Sequence, residues 1–146
     1  RGLHEESDYN AKLTQLSRQF GLPREIILYE SGHYIFKEFI KKFPETVIEN
    51  KSPRRFFDSV EKLIRTELRG YFDEEALPEI AVSRIEEDTI VIKYRSKRMS
   101  CTIIEGIIKS IADYYGRKIT YSHPTCQNRG DSFCAFNLHF YDKNYN

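Results

Sequence analysis

Residues 101–140 read CTIIEGIIKSIADYYGRKITYSHPTCQNRGDSFCAFNLHF, and this stretch decides the fold. Ile104, Ile108, Ala112 and Tyr115 recur on the helical side that Cys101 opens, so residues 101–116 predict a helix with that side against a core. A short β-like run from Lys118 to Tyr121 follows. Asn128-Arg129-Gly130-Asp131 is then a turn signal leading to a second run, Phe133 to Phe140. A helix followed by a hairpin is the expectation.

The same stretch holds all three cysteines of the chain, Cys101, Cys126 and Cys134, with His123 in an H-x2-C-x7-C string. Three thiolates and an imidazole are the donors of a closed tetrahedral zinc site. A hairpin bringing Cys126 and Cys134 together, beside a helix start that supplies Cys101, would assemble the four ligands from three elements and staple them. Cys126 and Cys134, facing across that hairpin, are the pair expected to oxidise. The alternative makes the cysteines small buried hydrophobes and His123 a turn residue. A disulfide would leave one odd thiol and would need an oxidising compartment.

Upstream, strands are expected near Ile80 to Ile85 and Thr89 to Arg95, joined by Glu86-Glu87-Asp88. In an extended chain Ile90, Ile92, Tyr94, Ser96 and Arg98 share one face, and Val91, Lys93, Arg95 and Lys97 the other. The first face begins apolar and ends in two hydroxyls and a guanidinium, a clamp for an apolar ligand with carboxylate ends. The alternative is an amphipathic strand whose end simply becomes polar. Earlier still the pattern is helical: Ser7 or Asp8 to Phe20 with Gly21 as stop, and Pro23 through Phe36 and Phe39 to Phe43-Pro44. After a loop with Asn50 and Pro53, a helix spans Arg54 to Arg69, striped by Phe56, Val60, Leu63, Ile64 and Leu68 and closed by Gly70. A loop through Pro78 leads to the strands.

At 146 residues with 40% hydrophobic content the chain suits one domain, residues 1–146, with a core of its own. A formal charge of +1 makes no electrostatic case for nucleic acid or a membrane surface. No apolar run is long enough to span a bilayer, and the start RGLHEESDYN lacks a signal-peptide core, so a cytoplasmic location is expected. No nucleophile–base order, phosphate loop, HExxH or carboxylate pair stands out, and no enzymatic activity is expected.

Tyr94, Ser96 and Arg98, as Tyr-x-Ser-x-Arg, resemble the propionate-binding motif of the heme nitric oxide/oxygen binding (H-NOX) family of gas sensors. The resemblance extends through LPEI (Leu77 to Ile80), SVEKLIRTEL, SGHYIFKEFIKKFPE and EGIIKSIADYYGRKI, about Asp8 to Phe140. It implies an α+β fold: N-terminal helices on a four-stranded antiparallel sheet, with a helix between the two hairpins. Some bacterial members carry a similar Cys/His zinc site, which Cys101, His123, Cys126 and Cys134 match position by position. Four-vinyl-reductase-like domains share the Cys...Gly-Asp...Cys ending. The partner implied is a histidine kinase or a cyclic-dinucleotide enzyme, and the ligand heme or another carboxylate-bearing molecule.

The chain departs from that pattern twice. Family members hold heme iron through a histidine on the helix before the sheet, and Arg65 stands at the corresponding place here. Arginine stays protonated and offers no lone pair to iron. An ordinary Glu61–Arg65 helix pair and a role for Arg65 in binding an anion are both open. The family's initial helices are also expected to be missing from the front of this sequence, either lost from a fragment or absent from a shortened protein. His33, beside Tyr34 and Phe36, is read as a core or boundary residue, with a replacement iron ligand as the alternative; His4 and His139 carry no supporting pattern. Three functions stay in view: a redox- or nitric-oxide-responsive sensor switched at a zinc–thiolate site, a heme sensor with altered axial ligation, and a structural zinc module for protein contact.

Overall fold

The computed structural model describes residues 2–49, 51–66, 79–97 and 100–141. Arg98, Leu68 to Pro78, and the side chains of Val60, Leu63, Ile64 and Arg65 lie outside the described residues. The elements follow in the order α1 (Gly2–Phe20), α2 (Arg24–Lys42), α3 (Pro44–Glu49), α4 (Pro53–Thr66), β1 (Glu79–Glu86), β2 (Thr89–Arg95), α5 (Cys101–Tyr115), β3 (Ile119–Thr125) and β4 (Cys134–Phe140). This is the expected α+β arrangement, two antiparallel hairpins with a helix between them. Three local details differ from the sequence reading. Helix α1 starts ahead of Ser7, the short α3 begins at Pro44, and β3 runs on past Tyr121 to Thr125. Proline is suited to the first turn of a helix, where its missing N–H has no partner to lose.

The sheet order is β1-β2-β4-β3, antiparallel throughout. Ile90, Ile92 and Tyr94 stand opposite Leu138, Phe136 and Cys134, and all six are at most 1% exposed. Lys93, Arg95 and Asn137 on the other face are exposed. The two-residue period therefore fixes which side of the sheet the helices must cover.

Helix α5 covers that side. Cys101, Ile104, Ile108 and Ile111 join the sheet's core cluster, while Ile103 packs with Leu13 and Leu28 from α1 and α2. The helix is thus a middle layer, apolar on two sides, between sheet and α2. Glycine makes the second contact possible: Gly32 of α2 and Gly106 of α5 cross with backbones touching. A Cβ added at Gly32 would collide with the carbonyl oxygen of Ile103 and stand 2.7 Å from the amide nitrogen of Ile107. Ser100 caps the start of α5, its hydroxyl accepting from the Thr102 N–H at 3.2 Å. Gly116 ends it at φ +61°, and Arg117 N–H returns to the Ala112 carbonyl at 2.9 Å.

Helix α4 adds Phe56 and Phe57 to the core. Phe56 meets Phe36 edge-on at 5.5 Å and Phe57 lies 6.2 Å from Phe140. The carboxylate of Glu61 accepts the Val82 N–H of β1 at 2.8 Å, satisfying a backbone donor on an edge strand. A Glu61–Arg65 pairing cannot be placed, since the Arg65 side chain lies outside the described residues.

Candidate metal centre

The capped start of α5 supplies Cys101, β3 supplies His123, the turn after it Cys126, and the first residue of β4 Cys134. One donor atom from each of the four lies within 4.8 Å of the others. All three cysteines are buried, and the His123 side chain is 13% exposed.

The H-x2-C spacing poses a parity problem, because residues three apart on a strand point to opposite faces. The register of β3 against β4 resolves it. Ser122 pairs with Asn137 but Thr125 pairs with Ala135, so His123 and Pro124 together oppose Phe136. That extra residue is a β-bulge, and Pro124, which has no N–H to give to a ladder, sits in it. Beyond the bulge the alternation is shifted by one, and Cys126 faces the same side as His123. Sequence reading placed His123 after the strand; it lies within it, stacked on Phe136 with centroids 4.1 Å apart.

A 3-10 turn, Gln127–Arg129, carries the chain from Cys126 toward β4, and Gly130 closes it at φ +95°, where a side chain would be strained. The Asp131 carboxylate accepts the Cys126 N–H at 2.8 Å, and Asp131 N–H returns to the Cys126 carbonyl at 3.1 Å. Two N–H groups point at sulfur: Gln127 backbone to Cys134 Sγ and Asn128 Nδ2 to Cys101 Sγ, both at 3.3 Å. The sulfurs of Cys101 and Cys126 are 3.6 Å apart, and that of Cys134 lies within 4.8 Å of both. The hairpin holds Cys126 and Cys134 near each other, and the N-terminus of α5 comes down directly onto Cys126.

Burial, and then the hydrogen bond with Cys126 and the neighbouring sulfurs, push the Cys101 thiol far above the ordinary thiol range. Burial raises Cys134 as well, against the lowering effect of the Gln127 N–H. Three thiolates this close would repel without a cation among them. His123 Nδ1 lies 3.3 Å from Glu105 Oε1, while its Nε2 is buried with no hydrogen-bond partner. An orphaned imidazole nitrogen on a residue grouped with three cysteines fits a four-coordinate cation of zinc's type.

Of the three residues read as a carboxylate clamp, Tyr94 is buried in the core directly opposite Cys134, and Ser96 is half-buried. The Ser96 N–H donates to Gln127 Oε1 at 3.1 Å, so the end of β2 is tied to the turn that follows Cys126. Arg98 lies outside the described residues. His33 is half-buried on α2, its Nδ1 3.4 Å from the Tyr29 carbonyl oxygen, and His139 reaches Asp88 at 3.5 Å. Helix α4, Pro53–Thr66, contains no histidine. The sequence reading did not assign Glu105 or Gln127 to the site, and it read Asn128 only as part of a turn. Glu105 lies one helical turn after Cys101, a spacing that could have suggested it.

The Haem-NO-binding family profile matches residues 5–123. The chain belongs to that family, the H-NOX sensor domains. No curated protein matches the sequence significantly. Among solved structures, the NMR structure of an H-NOX domain from Shewanella oneidensis in the Fe(II)CO ligation state has a TM-score of 0.83. It is 19% identical, over 98% of this chain and 78% of that one. A crystal structure of an S. oneidensis H-NOX protein in the Fe(II)NO ligation state gives 0.78 at 20% identity, over 89% and 72%. The Fe(II) unliganded H-NOX protein from K. algicida gives 0.74 at 17% identity, over 90% and 70%. These likenesses establish the fold. Among the described residues, no helix is long and apolar enough to cross a membrane.

Proposed function

We propose that this chain is one regulatory domain whose Cys101, His123, Cys126 and Cys134 hold zinc, and whose thiolates answer to oxidants or nitric oxide and so control a partner. The observation that carries the reading is the convergence of four donor atoms, distant in sequence, to within 4.8 Å. Bound zinc would keep the cysteines as thiolates and join α5 to the β3–β4 hairpin, contributing on the order of 10 kcal/mol to folding. Two thiolates give two electrons to hydrogen peroxide, which with two protons becomes two waters, and the sulfurs form a disulfide. Cys126, in contact with Cys101 and close to Cys134, is the common member of either pair. Loss of two donors frees the start of α5 and the hairpin together, a change large enough for a partner to read. By family likeness that partner is a histidine kinase or a cyclic-dinucleotide enzyme in the same cytoplasm, and the domain itself is not an enzyme.

Elemental analysis tests the reading. About one zinc per chain is expected, falling sharply in Cys126→Ser and Cys134→Ser; full retention in both ends the assignment. Peroxide should release zinc and change partner activity in parallel. Release without that change leaves a structural zinc module that serves protein contact.

Family membership favours a second reading, heme with Tyr94, Ser96 and Arg98 on its propionates. The donor set speaks against ligation in the family's manner, because Arg65 offers iron no lone pair. Hemin added to the protein should give no sharp Soret band. A sharp band that weakens in Arg98→Ala would instead establish a heme site with unexpected axial ligation.

A further inference from the structure

We infer that Glu105 is a positioning residue of the metal centre: its carboxylate accepts the Nδ1–H of His123 and so presents the Nε2 lone pair to the cation. This rests on the zinc reading above and deepens it. An imidazole must choose one nitrogen for the metal, and the partner of the other nitrogen makes the choice. Here Nδ1 lies 3.3 Å from Glu105 Oε1, and Nε2 is the buried nitrogen without a partner. The ring cannot easily turn over to exchange them, being stacked on Phe136 at an interplanar angle of 27°.

Glu105 is itself held. It is on α5, four residues after the ligand Cys101, so ligand and carboxylate share one helix face. Tyr121, on β3 two residues before His123, stands near the same carboxylate, and burial together with the Glu105 charge pushes its phenol up to about 12. The next residue, Gly106, sits in the backbone crossing with α2, which leaves α5 little freedom to slide. A chain of contacts therefore runs from Glu105 to His123 and the sulfurs, with Tyr121 beside its first member. The Glu105 side chain is 27% exposed, so its replacement leaves no buried hole.

Zinc affinity measured by chelator competition on the whole domain, for wild type, Glu105→Gln, Glu105→Ala and Tyr121→Phe, tests this. Loss of such an outer partner typically costs 10- to 100-fold in affinity. That loss is expected for both Glu105 variants, with a smaller one for Tyr121→Phe. At saturating zinc all variants should show the wild-type circular dichroism. Nitrogen-15 spectra of histidine-labelled, zinc-loaded wild type should show His123 protonated at Nδ1 and metal-bound at Nε2. A purely structural role for Glu105 would not fix that signature. Wild-type affinity in both Glu105 variants, or zinc on Nδ1, overturns the inference while leaving the zinc site standing. Wild type that binds no zinc overturns both.

Discussion

Gly106→Ala puts one methyl carbon where α5 crosses α2. That carbon would overlap the Tyr29 carbonyl oxygen and stand 2.9 Å from the Tyr29 carbonyl carbon and 3.2 Å from Gly32 Cα. Unstrained carbon contacts lie at about 3.5–4.0 Å, so the two helices must part by roughly 1 Å. Alanine in a helix interior gains about 1 kcal/mol over glycine. Against this, overpacking costs about 1–3 kcal/mol and occasionally more, and here the obstacle is backbone, which has no rotamer to change. Parting the helices also loosens Leu28 against Ile103, where a gap of this size forfeits about a quarter to a half of each dispersion contact. The expected net effect is a destabilisation of about 2 kcal/mol, a fall in thermal midpoint of roughly 6–8 °C for a domain of this size. Urea and thermal unfolding followed by circular dichroism, with zinc held constant, measure it. Gly32→Ala should act in the same direction, and the double variant should lose less than the sum, because helices already parted accept the second methyl more cheaply. A Gly106→Ala protein as stable as wild type would refute the backbone crossing.

Deleting Pro124 removes the bulge residue and leaves His123 and Cys126 two apart on a regular strand, still on one face, so zinc binding should survive, as it should in Pro124→Ala; inserting one alanine after Thr125 turns Cys126 to the other face and should abolish binding, and elemental analysis separates them. Asp131→Ala removes the carboxylate that accepts the Cys126 N–H and should cost about 1 kcal/mol in urea denaturation, with Asp131→Asn recovering part of it. Ser100→Ala removes the α5 cap and should cost about 1 kcal/mol, while Ser100→Thr stays near wild type by the same measurement.

The amino-acid sequence by itself determined the element types, since hydrophobic period separates helix from strand, and glycine and proline mark their ends. It also settled the metal-ligand candidates, because soft donors are few and their chemistry is distinctive: the four atoms named from Cys101, His123, Cys126 and Cys134 do meet. Tertiary structure decided everything that depends on two chain segments at once. The sequence marked one apolar side of α5, but Ile103 and Gly106 face α2, and only packing between layers reveals a helix buried on two sides. The parity of His123 and Cys126 depends on the register of β3 against β4, which no local pattern in residues 119–126 encodes. Glu105 reads in sequence as one more charge on a helix. It becomes the partner of His123 because the sheet carries that imidazole beneath it, 18 residues further along the chain.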